Sequence, residues 1–530
     1  MKNSIIIFVV SILSCFMVSC EKDYNDWEVE PGHERLFRSL IFEVSKVQST
    51  SAELKFTKSI SATKYVFEFS KDSLEFKEIV KTVELSAGSL KPFADSNNPT
   101  KVEYREMFAG LDGTTKYSVR MKSIDESSGM QSGYNQIYFE TPPEQIFTNY
   151  FPTTNSVKLK WTVTPNVTKV VLYNSEMQVL KEVTLNQQQI TAGELSFENL
   201  SIGTKYVAKI FNGTNNRGTL NITTTGISNS SVYKVLESDN ATSINTVLSN
   251  LVLGGATDIT VEFEVGKTYA IGGEIMVPTG VNNIAFTGSA GANGELPILT
   301  NARFNVATQI SNIIIQYLST TSSGNFFIDL GGKKVNNIYI EGCTISNINS
   351  VVRASGVTVI KDIFVNNSWI SNTGGWGMFN FGGTTAVGSL NVSNCTLTEI
   401  STRFGDIRIA TKVNFMNITC VNISTSMGHL WLFDNNKPSQ VSIQNLILGG
   451  PNGGGKINST NGNYGNIPIS YAGNYMTNDM IVDTRPFTSI TVVPLNIYGI
   501  FVDPANGDFH IKEGIGFAGT GVAGDKRWFN

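Results

Sequence analysis

A repeated motif in the C-terminal part of the chain decides the fold, and one copy reads Ile338-Tyr-Ile-Glu-Gly-Cys-Thr-Ile345. The motif has two apolar residues at alternate positions, then a Gly or Asn, then further apolar residues. The clear copies after the first are 363–370, 390–397, 413–420 and 441–448, and fainter ones begin at Ile284 and Ile313. Clear copies start 25, 27, 23 and 28 residues apart, which predicts one structural repeat of about that length.

The physical properties of this motif predict a sharply bent pair of strands. Apolar residues at every second position give a strand with one buried face. A Gly or Asn at the bend tolerates left-handed backbone, so the next strand can start on a different wall. A chain that bends this way in each repeat winds into a parallel β-helix around a continuous core. Four bend asparagines would then lie one above another and bond the backbone of the next turn: Asn367, Asn394, Asn417 and Asn445.

Such a row resembles the asparagine ladder of pectate-lyase-like right-handed parallel β-helices, and the resemblance covers residues 230–530. Apolar residues at helical spacing between Ser243 and Leu251 predict the helix that caps the open top of the coil. The ending Gly524-Asp-Lys-Arg-Trp528 is similar to the Gly-Asp-Pro-Arg-Trp ending of Bacteroidetes β-helix lipoproteins, with Lys526 in place of proline. We expect this ending to belong to a C-terminal cap.

Two earlier stretches, 37–142 and 143–226, alternate at period two and predict small β-sandwiches. Each contains a Leu-x-x-x-Thr-x-Tyr motif, at 111–117 and at 200–206. The motif resembles the tyrosine corner of fibronectin type III domains, in which the Tyr hydroxyl bonds back to the backbone. The predicted fold class is therefore all-β, with two fibronectin type III-like sandwiches as a stalk before a right-handed parallel β-helix.

The N-terminus has the pattern of an export signal over residues 1–19, with Lys2 followed by an apolar run from Ile5 to Val18. The stretch Met17-Val-Ser-Cys20 resembles a bacterial lipobox, which implies a lipid on Cys20; Cys15 is the alternative. The tether over 20–36 starts with an acidic run similar to the export signal of Bacteroidetes surface lipoproteins. The resemblance implies a chain anchored by lipid in the outer membrane and exposed at the cell surface.

Composition narrows the range of partners. The chain has 530 residues, of which 41% are hydrophobic, and this content excludes a disordered polymer. Its net charge of −4 argues against nucleic acid as a main partner. Five cysteines cannot build a disulfide scaffold, and Cys343 and Cys395, at one inward position of the repeat, are predicted to be buried hydrophobes.

A third strand in each repeat is the expected ligand-binding wall. Its alternation directs four polar side chains outward: Asp329, Arg353, Asn380 and Arg408. Guanidinium groups pair with the carboxylates of uronates, and aromatic rings can meet the faces of sugars. The candidate platforms are Trp431 and Trp376, with Trp369 as a third whose place in the bend motif favours an outer wall, and His429 is a candidate donor at the rim.

Catalysis has weaker support in the sequence. Pectate-lyase-like enzymes use an Arg or Lys base, often with Ca²⁺ held by carboxylates, so the resemblance implies these groups if the chain cleaves a glycan. Asp329 and Asp406 would lie three turns apart, about 14 Å, which is too far for a Ca²⁺ cage. The leading prediction is a surface lipoprotein that binds an acidic, pectin-like polysaccharide and needs no cofactor. It would serve a glycan uptake system, with other proteins of that system as further partners. The first alternative is a uronan lyase that uses Arg353 and Arg408, and only in that case would Ca²⁺ be a cofactor. The second alternative is a structural or adhesive protein.

Overall fold

The computed structural model describes residues 35–93, 102–164, 166–291, 294–423, 428–451, 458–480, 482, 484–485 and 489–529. The predicted signal peptide and Cys20 lie outside these ranges. The chain divides into two compact units, one of residues up to 145 with 211–218, the other of 146–210 with the rest. In the described ranges no helix has the length and apolarity to cross a membrane.

The first sandwich has a sheet of three strands and a sheet of four. Its three-stranded sheet runs in the order Phe42–Gln48, Ser51–Thr57, Glu103–Ala109. Its four-stranded sheet runs in the order Lys81–Ser86, Lys64–Ser70, Lys116–Ile124, Asn135–Glu140. Alternate residues such as Leu54, Phe56 and Phe67 are buried between the sheets, and this burial explains the period of two in the sequence.

The second sandwich repeats this arrangement strand for strand. Its sheets are Phe147–Pro152, Ser156–Trp161, Glu194–Glu198, and Val179–Thr184, Lys169–Tyr173, Lys205–Asn212, Asn215–Thr223, with a helix at Gln187–Ala192. The tyrosine corners are confirmed in both copies. The hydroxyl of Tyr117 accepts the N–H of Asp112 at 2.9 Å, and that of Tyr206 accepts the N–H of Ser201 at 2.9 Å. Both sandwiches are fibronectin type III-like.

A parallel β-helix of about 9 turns follows, and its strands form three walls. The first wall contains Ser231–Lys234, Asp258–Glu262, Asn283–Thr287, Gln309–Gln316, Lys334–Glu341, Val359–Asn366, the starts of Ala386–Ile400, Lys412–Ile423 and Gln440–Pro451, and Ile469–Ala472. The second wall contains Thr268–Tyr269, Ile298–Thr300, the starts of Ser319–Gly331 and Thr344–Ser355, Trp369–Thr373, the ends of the three long strands just named, Asn474–Thr477 and Ile490–Val493. The third wall contains Glu274–Val277, Arg303–Val306, the ends of Ser319–Gly331 and Thr344–Ser355, Phe379–Phe381, Gly405–Ile407, His429–Phe433 and Asn458–Thr460.

Strand register confirms the repeat predicted from the sequence. The first apolar residue of every predicted copy pairs with that of the next copy in the first wall. The column runs through Ile284, Ile313, Ile338, Ile363, Leu390, Val413 and Val441. These side chains are buried in a single core that extends along the coil. Each turn thus buries its apolar face against the neighbouring turns, as a solenoid requires.

The bends after the first wall adopt the predicted left-handed backbone, with φ of 50° at Asn394, 57° at Asn417 and 56° at Asn445. The hydrogen-bond partners of these asparagine side chains differ from the prediction. Each side-chain amide bonds the amide of an asparagine on a neighbouring turn, and not the backbone of the next turn. Asn417 donates to Asn394 and Asn445 donates to Asn417, each at 3.0 Å. Asn394 donates to Asn366 at 2.9 Å, so Asn366 takes the place in the ladder that was predicted for Asn367.

Helix Ala241–Leu253 covers the first turns of the coil, where the sequence predicts a cap. The side chain of Asn240 accepts the N–H groups of Thr242 and Ser243 and begins the helix. Ile244 and Leu248, one helical turn apart, are buried in the core of the coil. The apolar face of the helix thus shields core residues that have no preceding turn to cover them.

The C-terminal segment, residues 495–529, lies against the outer face of the second wall. It contains the helix Ile497–Ile500 and the strands Phe501–Asp503 and Asp508–Ile511. Its apolar residues pack on Val421 and Ile447, which point out of the coil and are nonetheless buried. Asp525 is fully buried and accepts a hydrogen bond from Thr396 Oγ1 at 2.7 Å. The Gly-Asp-Lys-Arg-Trp ending therefore fastens this segment to the side of the coil.

Cys343 and Cys395 are buried, as predicted, and Cys420 is buried as well; all three are free cysteines. Burial raises the pKa of Cys343 and of Cys395 to about 12, so both thiols stay protonated at neutral pH. Both side chains belong to the core of the coil.

Candidate functional site

The outer face of the third wall carries a column of polar residues on consecutive turns. Asp329 pairs with Arg353, Arg353 with Asn380, and Asn380 with Asp406. Asp329, Arg353 and Asn380 are partly exposed, so their predicted outward direction is confirmed. Arg408 also lies on this wall, two residues further along the chain than Asp406. Two turns and two residues place Arg353 and Arg408 about 12 Å apart.

Arg353 is held on this face by two neighbours. Its Nη1 donates to both carboxylate oxygens of Asp329, at 3.1 and 3.3 Å. Its guanidinium carbon lies 4.8 Å from the centre of the Phe326 ring, which is a cation–π contact. Within the described ranges, Nη1 alone of the three guanidinium nitrogens has a hydrogen-bond partner. Asp329 and Phe326 thus orient a partly exposed guanidinium whose Nε and Nη2 can meet a ligand.

Asp406 lies in the same column but is buried, and Arg408 pairs with it. Arg408 Nε donates to Oδ1 at 2.8 Å and Nη2 donates to Oδ2 at 3.3 Å. Burial raises the pKa of the Asp406 carboxyl, against the opposing effect of Arg408 and Arg403. Arg403 is itself buried, and this burial lowers its pKa. Arg408 donates to Asp406 from two of its guanidinium nitrogens, whereas Arg353 donates to Asp329 from one. Arg353 therefore has more donors left for a ligand.

The prediction that Trp431 is a sugar platform is wrong. Its indole is fully buried and packs on Phe415, Phe404 and Phe433, with ring centres 4.9, 5.5 and 5.6 Å away. The cause is strand register, because Trp431 pairs with Gly405 on the inward side of the wall. A Cβ at Gly405 would come within 3.0 Å of the indole, so the glycine makes room for it.

The other aromatic candidates have different environments. Trp376 lies in the connection between the second and third walls and is 57% exposed, so it stays a candidate platform. Trp369 belongs to the second wall, where its ring packs against Phe509 and Trp528 of the C-terminal segment. That contact gives Trp369 a structural role. His429 lies at the start of a third-wall strand and is partly buried, and its role at the rim stays a prediction.

The third wall contains acidic groups, but they do not converge. Asp329 and Asp406 are three turns apart in register, about 14 Å, as predicted. In the part of the chain that the structure describes, no group of three or more His, Cys, Asp or Glu residues is placed to hold a metal ion.

Sequence reasoning missed Arg403 and Phe326 as members of this site. A signal for Phe326 was available, because it precedes Asp329 in the same strand and Arg353 comes about one turn later. Arg403 lies in a connection between walls, where no alternation shows which way a side chain points. Its burial beside Gly377 depends on contact between two such connections.

Comparison with known proteins finds similarity to fibronectin type III structures. No protein-family model matches the chain. No curated protein matches it either. Among solved structures, a segment of two fibronectin type III domains from chicken tenascin matches at 16% identity and a TM-score of 0.22, over 35% of this chain and 97% of that one. The FN1–FN3 domains of chicken CNTN1 match at 12% identity and a TM-score of 0.15, over 36% and 68%.

The architecture consists of fibronectin type III-like sandwiches before a parallel β-helix. This architecture assigns no specific function.

Proposed function

We propose that this protein binds an acidic, uronate-containing polysaccharide along the outer face of the third wall. The observation that carries the proposal is Arg353, whose guanidinium is oriented by Asp329 and Phe326 on an open face. Its Nε and Nη2 remain for a ligand, and a carboxylate is the partner that best matches the geometry of a guanidinium.

The charge and spacing of the face support an extended acidic ligand. The residues of the site include three arginines and two carboxylates, so together they carry a net positive charge: Arg353, Arg403, Arg408, Asp329 and Asp406. Neighbouring turns repeat at about 4.8 Å, so equivalent side chains form a regular row that a linear polymer can follow. Asn380 adds an amide to this row, and the exposed Trp376 adds an aromatic surface.

The proposed location follows from the lipobox resemblance at Cys20. A lipid anchor in the outer membrane would hold the chain at the cell surface, where it can meet glycans outside the cell. The proposed role is capture of the glycan for an uptake system, together with other proteins of that system.

One observation favours a uronan lyase as the second candidate. The buried Asp406 carboxyl has a raised pKa and lies beside two arginines, and perturbed groups of this kind cluster at active sites. Against it, Arg353 and Arg408, the candidate bases, each pair with a carboxylate. An arginine base has to lose a proton first, and a nearby carboxylate opposes that loss.

The test measures binding and cleavage on one panel of glycans. The mature chain is run in gels that contain pectin, other uronans or a neutral glycan, and the ultraviolet absorbance of unsaturated sugar ends is followed with and without Ca²⁺. We expect retardation by a uronan, weakened about tenfold or more by Arg353→Ala because a charge-assisted pair is lost. The matched control is Lys361→Ala, which removes an exposed cation from the first wall.

The other outcomes are equally informative. A rise in absorbance would replace binding by lyase activity and make Arg408 and Asp406 the next residues to substitute. No retardation by any uronan would contradict the proposal and favour an adhesive protein.

A further inference from the structure

One end of the first sandwich exposes large apolar side chains next to cations. Three large apolar side chains at this end are mostly exposed, at 67% for Phe37, 87% for Leu40 and 78% for Ile60. They line a concavity of about 650 Å³ together with three cationic residues, Arg35, Arg38 and Lys58. We call these six residues the N-terminal patch. Large apolar residues gathered in this way mark an interaction surface more often than isolated ones do.

The backbone that presents the patch is firmly held. Leu36 is buried in the sandwich core, and its N–H donates to the carbonyl of Gln131 at 3.1 Å. Ser39 is also buried, and its carbonyl accepts Asn135 Nδ2 at 2.8 Å. Because Leu36 and Ser39 point inward, the residues between and after them are projected outward. The exposure of Phe37 and Leu40 therefore follows from the way the folded sandwich holds this backbone.

The charge of the patch is opposite in sign to that of the whole chain. Arg35, Arg38 and Lys58 are cationic, whereas the chain has a net charge of −4. No Asp or Glu is among the described residues that line the concavity. Apolar side chains beside Lys and Arg are the composition with which proteins contact a bilayer that carries anionic headgroups.

The position of the patch in the chain points to the same partner. Arg35 is 15 residues after Cys20, the residue expected to carry lipid. Even a fully extended tether of that length spans no more than about 50 Å. A lipid on Cys20 would thus keep the N-terminal patch at high effective concentration near a membrane surface.

We propose that the N-terminal patch docks on the surface of a lipid bilayer that carries anionic headgroups. Phe37, Leu40 and Ile60 enter the boundary between headgroups and acyl chains, and the three cations contact the headgroups. The contact is separate from the third wall of the coil, so it stands or falls independently of glycan binding. It would orient the first sandwich on the membrane, which an acyl tether alone cannot do.

The experiment uses the mature chain with Cys20→Ala, which cannot be acylated, and sediments it with lipid vesicles. We expect binding to mixed phosphatidylcholine–phosphatidylglycerol vesicles and weaker binding to phosphatidylcholine alone. Joint replacement of the three apolar residues by serine (Phe37→Ser, Leu40→Ser, Ile60→Ser) should weaken binding about tenfold or more. Each of Arg38→Ser and Lys58→Ser should weaken it about fivefold at low salt. The control is the double variant Leu253→Ser, Val357→Ser, which removes one exposed apolar side chain from the cap helix and one from the coil.

Failure to bind anionic vesicles, or equal binding by the triple variant and its parent, would overturn the proposal. Sedimentation velocity without lipid supplies a second readout. A concentration-dependent dimer that the triple variant abolishes would assign the patch to a second copy of the chain and would also overturn it. Circular dichroism checks that each variant keeps the fold, as we expect because every replaced side chain lies outside the sandwich core.

Discussion

The second and third walls of the coil are built from the same repeat, yet their outer faces differ. On the second wall, outward residues such as Thr396, Thr419 and Ile447 are buried by the C-terminal segment. On the third wall, Arg353 and Asn380 occupy equivalent outward positions and remain partly exposed. The second face carries hydroxyl and apolar groups, whereas the third carries charges and an amide.

This difference shows that an outward position in a β-helix is not by itself a surface position. A face of apolar and hydroxyl groups can be covered by the chain's own C-terminus, because covering it costs little desolvation when the hydroxyls find partners. On the third face, Arg353 and Asp329 stay partly exposed. The buried carboxylate of Asp406 is paired with Arg408, since burying charges without complete pairing is expensive. We therefore expect substitutions to affect stability to different degrees at three places. These are the covered second wall, the asparagine ladder at the bend between the first and second walls, and the open third wall.

Removing the carboxylate that fastens the C-terminal segment should have the largest effect. Asp525 is fully buried, accepts Thr396 Oγ1 and forms an ion pair with Arg527 at 2.7 Å. Asp525→Ala should lower the free energy of unfolding in urea by about 3 kcal/mol, because it breaks a buried network. Lys526→Ala, at an exposed position beside it, should change this value by less than about 0.5 kcal/mol. Equal effects of the two substitutions would contradict a covered second wall.

The asparagine ladder should show a smaller loss with two separable parts. Asn417 has a φ of 57° and bonds both Asn394 and Asn445. Asn417→Ala should cost about 2–3 kcal/mol, since it loses two amide bonds and strains the left-handed backbone. Asn417→Gly loses the bonds but relieves the strain and should cost about 1 kcal/mol less than the alanine variant. The comparison is made by thermal and urea unfolding, and a glycine variant no better than alanine would exclude backbone strain as a contribution.

The acidic end of the ladder should make stability depend on pH. Glu341 accepts Asn366 Nδ2 at 2.8 Å, and burial raises the pKa of its carboxyl above the ordinary value of 4.5. The folded state therefore holds this proton more tightly, so the contribution of Glu341 to stability falls as pH rises from 4.5 through the raised pKa. Glu341→Gln should raise the unfolding midpoint by a few degrees at neutral pH, and the gain should shrink as pH falls. A gain that grew on acidification would contradict the assignment.

Substitutions on the open face should affect stability least. Arg353→Ala and Asn380→Ala should each change the free energy of unfolding by less than about 1 kcal/mol, because the Arg353–Asp329 pair is partly exposed. The same variants should lower uronan affinity, as measured by gel retardation. A large loss of stability would mean that the third wall, like the second, is a structural face.

The repeat and the sandwiches could be predicted from short stretches of sequence. The column from Ile284 to Val441 and the hydrogen bonds of Tyr117 and Tyr206 follow from patterns within a few residues. The site was predicted in part, since its partly exposed polar residues point outward as alternation requires. The Trp431 side chain was predicted on the wrong side of its strand, because the alternation in this strand can be read with Trp431 facing either inward or outward. Its pairing with Gly405 on the preceding turn decides that it faces inward.

By itself, the sequence determined the all-β class, the turn length of the coil, the left-handed bends at asparagine and the tyrosine corners. Each of these rests on local backbone preferences and on a period of two. Only the tertiary structure decided which outer face is covered, that Trp431 lies in the core and that Asp406 is buried beside Arg408. Those outcomes depend on contacts such as Thr396 with Asp525, 129 residues apart, and no local pattern records a partner at that distance.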